Sequence, residues 1–423
     1  MKTFKLINGG ITAPQGFLAS GIYCGLKKKP DAKDLMLIYS QVPAVAAGTF
    51  TTNLVKAAPV LVDMEQIKSG KAQAIIANSG NANACTGKKG LKDAWDMVNL
   101  TAKELGIPAS SVLVASTGVI GQPLKMDKIK SGIKQAAKSL STSGAADAMQ
   151  AIMTTDTFPK EIAIEFQING KSVRLAGIAK GAGMIAPNMA TMLCFLTTDC
   201  AISKSALSTM LQESVAQSFN LITVDGDTST NDIALILANG LAGNKKIRSP
   251  SSIGFSAFQS ALNYVCAELA RLIIKDGEGA TKFVQVQIKN ARTESEAKQI
   301  GFTIANSPLV KTAIFGNDAN WGRIMAAIGR SGVAVNPERI DIYLDRKSEI
   351  RNSSILHPPS SLKPLQLVKN GIGTGYSEPL AKEIFSASGI CLVIDLHQGK
   401  AGANVLTCDL SFDYIKINAS YRS

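Results

Sequence analysis

Residues 180–195 read KGAGMIAPNMATMLCF: a loop of glycine, proline and other small residues runs into an apolar, strand-like segment, with Thr191 at the junction. A threonine with a free α-amine carries a nucleophile and its base on one residue. The amine has a pKa of about 7.7–8.0 in model peptides and lies beside its own hydroxyl, so no histidine is needed. Freeing that amine means breaking the Ala190–Thr191 bond. The hydroxyl can do this itself by attacking the preceding carbonyl and forming an ester that water then hydrolyses. Such an attack needs a sharply bent backbone with little steric obstruction, and Gly181, Gly183, Pro187 and Ala190 supply both. A plain turn into a core strand is the other reading of these residues, and the stretch alone leaves both open.

An acyl-transfer nucleophile also needs donors for the oxyanion of the tetrahedral intermediate. ASTGVIGQPL, residues 115–124, follows the strand-like SVLV and sets the Thr117 hydroxyl beside the backbone N–H of Gly118. That pair suits an oxyanion, although a strand-ending turn with a helix cap accounts for the residues equally well. Other chemistries find less material. The only two histidines, His357 and His397, give little basis for a Ser-His-Asp hydrolase, and neither an H-E-x-x-H nor a P-loop pattern occurs. GIGTGY, residues 371–376, has neither a recognisable strand before it nor the acidic residue a dinucleotide site requires. Seven scattered cysteines without a C-x-x-C pair point to reduced, mostly buried thiols rather than a disulfide framework or a zinc site. Neither metal nor cofactor is expected.

These residues need rigid elements to hold them. Apolar segments rich in β-branched residues (DLMLIYS, AIIANSG, SVLVAST, IAIEFQI, FVQVQI, RIDIYLD) alternate with amphipathic ones, which is α/β patterning. In IAIEFQINGKSVRLAGIAKG the alternating Ile162, Ile164, Phe166 and Ile168 meet Asn169-Gly170, a hairpin signal, and the second strand leads straight into the loop before Thr191. Residues 205–219 and 256–275 read as helices, the second with Phe258, Leu262, Val265, Leu269 and Ile273 on one stripe. HPPSSLKP, residues 357–364, reads as an internal loop.

At 423 residues and 46% hydrophobic, the chain can bury two cores. The net charge of +13 is dispersed and accompanies no nucleic-acid module, so anionic small molecules are the expected partners, with no nucleic acid and no membrane. No apolar run reaches signal-peptide or bilayer-spanning length, and a cytoplasmic location is the expectation.

KGAGMIAPNMATML, NSGNANACTG (78–87), STGVIGQPL (116–124), ANWGRIMAAIGRSG (319–332) and the tail CDLSFDYIKINASYRS together resemble the ArgJ family of ornithine acetyltransferases, in order and from residue 20 to Ser423. The resemblance implies a precursor that cleaves itself between Ala190 and Thr191 into an α chain, 1–190, and a β chain whose first residue is the nucleophile. It implies a ping-pong reaction in which Thr191 takes acetyl from N2-acetylornithine and passes it to glutamate, with acetyl-CoA as a possible second donor, in arginine biosynthesis. A self-processed aminopeptidase or amidase of the same fold is the alternative. The implied fold is α/β, layered helix, sheet, sheet, helix, with a catalytic domain over 1–280 and a second α/β domain over 281–423, assembling as an α2β2 heterotetramer.

By the same resemblance Thr117 and Gly118 form the oxyanion hole, and Thr154, Lys180, Thr191, Glu278, Asn418 and Ser423 contact substrate. Lys180 suits the substrate α-carboxylate and Glu278 the ornithine ammonium. Asn418 and Ser423 would bring the carboxy-terminal tail to the active site, anchored by Tyr414, Ile415 and Ile417. Ser423 stands where the family often ends in threonine, and Asn317 where an acidic residue is expected.

Overall fold

The computed structural model describes residues 4–29, 31–186, 192–346 and 364–420. Ala190, Thr191 and Ser423 lie outside the described residues, as does nearly all of the HPPSSLKP loop. The chain divides into two compact units, Met1–Asn220 with Asp227–Ile273, and Leu221–Gly226 with Ile274–Ser423.

The first unit carries β1 (Phe4–Leu6), β2 (Phe17–Ile22), β3 (Leu35–Phe50), β4 (Lys71–Asn81), β5 (Val112–Val119), β6 (Lys160–Ile168), β7 (Lys171–Lys180), β8 (Leu193–Thr198) and β9 (Ile233–Ala238). Its helices are α1 (Ala58–Gln66), α2 (Gly87–Leu105), α3 (Met126–Lys138), α4 (Ala145–Ile152), α5 (Lys204–Ala216) and α6 (Phe255–Lys275). The strands form one sheet in the order β1-β6-β7-β8-β9-β3-β4-β5, with β2 added against β3.

Strand alternation sorts the side chains into layers. Met36 and Ile38 of β3, Ile75 and Ala77 of β4, and Leu113 and Ala115 of β5 share one core with Ile178, Leu193, Phe195, Ile233, Leu235 and Leu237 of β7, β8 and β9. The sheet therefore folds over and packs its two halves face to face. The intervening residues Leu35, Leu37, Ala74, Ile76, Val112 and Val114 form another core with Met97 and Val98 of α2 and Ile129 and Ile133 of α3. Beyond the other half lies α6: the rings of Phe166 and Phe258 are 6.3 Å apart, and Gly177 is so closely covered that a Cβ there would come within 2.9 Å of Leu269. The layers run helix, sheet, sheet, helix, as expected. The five-residue stripe of α6 is fully buried. The β6–β7 hairpin closes at Ile168↔Lys171, with Asn169 and Gly170 at φ 49° and 75°, the left-handed pair its sequence calls for.

The second unit contains β10 (Phe283–Ala291), β11 (Asp341–Arg346), β12 (Leu365–Lys369), β13 (Ile372–Gly373), β14 (Gly389–Asp395) and β15 (Ala401–Cys408), in the order β13-β12-β11-β14-β10-β15. Helices α7 (Glu294–Ala305), α8 (Pro308–Phe315), α9 (Trp321–Gly329) and α10 (Glu378–Phe385) pack on one face through a core that includes Val286, Ile300, Ile314, Ile328, Ile342, Phe385 and Leu392. A last helix, α11 (Phe412–Ala419), ends the described chain. GIGTGY does follow a strand, β12, contrary to the sequence reading. Its first glycine serves a hairpin turn, with Asn370 and Gly371 at φ 50° and 78° between β12 and β13. All seven cysteines are free thiols, four of them buried.

Candidate active site

Two motifs that are 38 residues apart in sequence become neighbours because β4 and β5 pair in parallel, with Asn78↔Ser116, Ser79↔Thr117 and Gly80↔Gly118 in register. Glycine is required where they meet. Gly118 has φ 132°, and a Cβ on it would lie 2.4 Å from the Gly80 carbonyl carbon. Buried amides lock this end of the pair: Ser116 Oγ donates to Asn78 Oδ1 at 2.6 Å, and Asn231 Nδ2 donates to Ala82 O at 2.6 Å and Ser116 O at 2.8 Å.

Thr117 is only 4% exposed, and its Oγ1 accepts a hydrogen bond from Lys180 Nζ at 3.2 Å. A hydroxyl that accepts in this way keeps its own proton to donate. Lys180 ends β7 and is paired with Leu193 across the β7–β8 ladder, so the register alone sets it beside the strand that begins just after Thr191. Met192, the next residue after Thr191, is held twice: its N–H donates to Asp232 Oδ1 at 3.0 Å and its carbonyl accepts from Ile233 N–H at 3.1 Å. Burial pushes the Asp232 carboxyl well above the usual carboxylate range, opposed by the Met192 amide, Thr51 and Lys180.

A second carboxylate nearby behaves differently. Asp156 Oδ1 accepts from Lys160 Nζ at 2.6 Å and from the Gly181 N–H at 2.8 Å, while Oδ2 accepts from the Thr154 N–H at 2.9 Å. Burial would raise its pKa, but the ammoniums of Lys180 and Lys160 and the Gly181 amide prevail and hold it at about 2. Lys27 belongs to the same neighbourhood. Its backbone and those of Cys24 and Leu26 donate to the Asp34 carboxylate at 3.1, 2.7 and 2.6 Å, which fixes the loop. Burial, aided by the like charge of Lys180, lowers the Lys27 ammonium to about 8 against the pull of Asp34 and Asp156. Lys180, with the Lys27 charge near it, thus brings positive charge to the Thr117 hydroxyl, which is an environment for a substrate carboxylate or a developing oxyanion.

In the second unit, the buried Glu278 accepts from Asn418 Nδ2 at 2.8 Å. The DGEGATK segment that carries Glu278 is tied to the tail. Asp409 accepts from the N–H groups of Thr281 and Lys282 at 2.8 and 2.9 Å, and Ser411 Oγ donates to Gly279 O at 2.6 Å. Asn317 fills the place expected to be acidic: its Oδ1 accepts from Lys282 Nζ at 2.5 Å, and burial keeps that ammonium below its ordinary range. The anchoring of α11 differs from expectation. Tyr414 reaches Asp225 Oδ2 at 3.3 Å, but among the described residues Ile415 is 62% exposed and serves as no anchor.

Within the first unit the structure brings Thr117, Gly118, Thr154 and Lys180 together, and within the second it pairs Glu278 with Asn418. Sequence reading missed Asp156, Lys160, Lys27, Asn231 and Asp232. The only signal for these was an Asp-x-x-x-Lys spacing in TTDTFPK and an Asn-Asp pair opening a strand.

The ArgJ family model matches residues 18–423. The arginine biosynthesis bifunctional protein ArgJ of Caldanaerobacter subterraneus subsp. tengcongensis is 49% identical over 420 residues, 99% of this chain and 100% of that one. The glutamate N-acetyltransferase of Methanocaldococcus jannaschii is 48% identical over 426 residues, 99% of each chain. Among solved structures, the ornithine acetyltransferase of Mycobacterium tuberculosis complexed with ornithine is 39% identical, covering 44% of this chain and 98% of that chain at a TM-score of 0.41.

Proposed function

The chain belongs to the ArgJ family, and we propose that it is an acyltransferase of arginine biosynthesis that moves acetyl from N2-acetylornithine to glutamate through Thr191. The Thr191 hydroxyl first attacks the Ala190 carbonyl; water hydrolyses the resulting ester and leaves a free threonine amine. That amine then takes the hydroxyl proton as the oxygen attacks the acetyl carbonyl, and returns it to the departing ornithine nitrogen. The glutamate amine attacks the acetyl ester and gives up a proton, the Thr191 amine passes that proton to the departing threonine oxygen, and N-acetylglutamate leaves.

One observation carries the reading: the parallel β4–β5 register sets Thr117 and Gly118 against Ser79 and Gly80, with Lys180 on the Thr117 hydroxyl oxygen. The hydroxyl and the Gly118 N–H are the donors we assign to the oxyanion. Thr154, Glu278, Asn418 and Ser423 carry the substrate contacts that the family resemblance gives them, with Glu278 as the partner for a substrate ammonium. We assign the mature enzyme to the cytoplasm as an α2β2 assembly, with acetyl-CoA as an alternative donor. Among the described residues no helix is long and apolar enough to cross a membrane.

Intact mass after expression, followed by assay of acetyl transfer from acetylornithine to glutamate, tests the reading. Two chains split before Thr191, one chain for Thr191→Ala, and turnover accelerated by glutamate are the expected results. The same fragments from Thr191→Ala would mean an external protease. Acetylornithine hydrolysis indifferent to glutamate would make the protein an amidase. Repeating the assay with acetyl-CoA and glutamate decides the second donor.

A further inference from the structure

The resemblance gives substrate contacts to Thr154 and Lys180, residues on different elements, and leaves open what holds them in one arrangement. A single carboxylate touches both elements. Asp156 accepts from the Thr154 N–H at 2.9 Å and from the Gly181 N–H, adjacent to Lys180, at 2.8 Å. Its side chain and that of its ion-pair partner Lys160 are both 0% exposed. A buried ion pair is weak support for stability, since desolvation cancels much of the attraction. Two features make this pair more than a salt bridge. Asp156 also grips two backbone amides, and Lys180 exceeds Lys160 as the charge that favours its ionised form.

We propose that Asp156 is the positioning residue of the substrate-carboxylate site, holding the Thr154 loop and the Lys180 end of β7 in a fixed relation and countering the mutual repulsion of Lys27, Lys160 and Lys180. Two carboxylates, Asp34 and Asp156, against three lysines still leave the cluster positive, so a carboxylate that arrives completes it. Asp156 never touches substrate; it acts through Lys180 and the residue 154 backbone. The proposal rests on Lys180 meeting the substrate carboxylate.

The test is binding of L-ornithine by calorimetry, which needs no turnover, beside thermal unfolding of each variant. Asp156→Asn alone strands the Lys160 charge, so the informative variant is Asp156→Asn combined with Lys160→Met, which removes both buried charges. A purely structural ion pair predicts that this double variant folds and binds as the unaltered chain does. A positioning role predicts a melting temperature near that of the unaltered chain with ornithine affinity reduced at least about tenfold, the scale of one lost charge-assisted contact. Lys160→Met alone keeps Asp156 and should bind ornithine more tightly than the double variant does.

Asp156→Glu supplies a second test if the double variant does not fold. It retains the charge but displaces the carboxylate by one methylene, and weak binding with a folded chain is expected. Unchanged affinity in the folded double variant, or in Asp156→Glu, overturns the proposal. Lys180→Met separates the two failures. Unchanged ornithine affinity there defeats the carboxylate-site reading itself, whereas weak binding there with normal Asp156 variants defeats only the role of Asp156.

Discussion

Two buried aspartates bear on β5, Asp63 by direct contact and Asp156 through Lys180, and their chemistry is opposite. At the Val114 end, Asp63 of α1 accepts the Val114 N–H at 2.8 Å through Oδ1, its Oδ2 has no partner among the described residues, and burial drives its pKa well above the usual range. At the Thr117–Gly118 end, Asp156 is as deeply enclosed, yet two ammoniums and two backbone amides keep it ionised. Burial therefore does not decide whether a carboxyl carries charge; its partners do. The lone aspartate splints a helix to a strand, and the crowded one creates a field. One strand carries a structural end and a chemical end.

That contrast can be broken by showing that either end does the other's work. The largest expected effect is at the chemical end. Thr117→Ala should slow acetyl transfer by about 10²–10³-fold, the scale for one oxyanion donor, with little change in melting temperature. A loss of stability with normal turnover in the folded protein would make Thr117 a structural residue. At the other end Asp63→Ala should destabilise the fold by about 1–3 kcal/mol, because it strands the Val114 amide. Chemical denaturation measures this, and kcat of the remaining folded enzyme should be unchanged.

The smallest effect sharpens the charge assignment. A carboxyl whose folded pKa is raised stabilises fully below its unfolded pKa of about 3.9 and loses that contribution as pH climbs toward the folded value. Asp63→Asn should thus compare more favourably with the unaltered chain at pH 8 than at pH 5. A melting-temperature difference independent of pH would show Asp63 ionised like Asp156.

Local signals made the frame readable. Asn169-Gly170 fixed a hairpin that forms in the expected register, and the five-residue stripe of α6 is the face that it buries. Thr117 and Gly118 were readable because a hydroxyl beside a glycine after an apolar strand is a local pattern. Asp156 was not, since its meaning comes from Gly181, which lies 25 residues on, and from the strand order that brings it near. Ile415 shows the reverse failure: it is an apolar residue near the carboxy terminus, and hydrophobicity says nothing of whether a partner surface exists within the same chain.

The strand order has a last consequence for reassembly. β8 and β9 lie in the sheet between β7 on one side and β3 on the other, all joined by continuous ladders. A chain opened before residue 191 would leave β1–β7 on one polypeptide and β8 and β9 on the other, so the second fragment contributes a two-strand wedge to the sheet of the first. Neither piece can leave without tearing open two ladders and the core they enclose. The nicked molecule should behave as one body until denatured, and once its fragments are separated, recovery should become bimolecular and slow with dilution, where the uncut precursor folds at a rate indifferent to concentration.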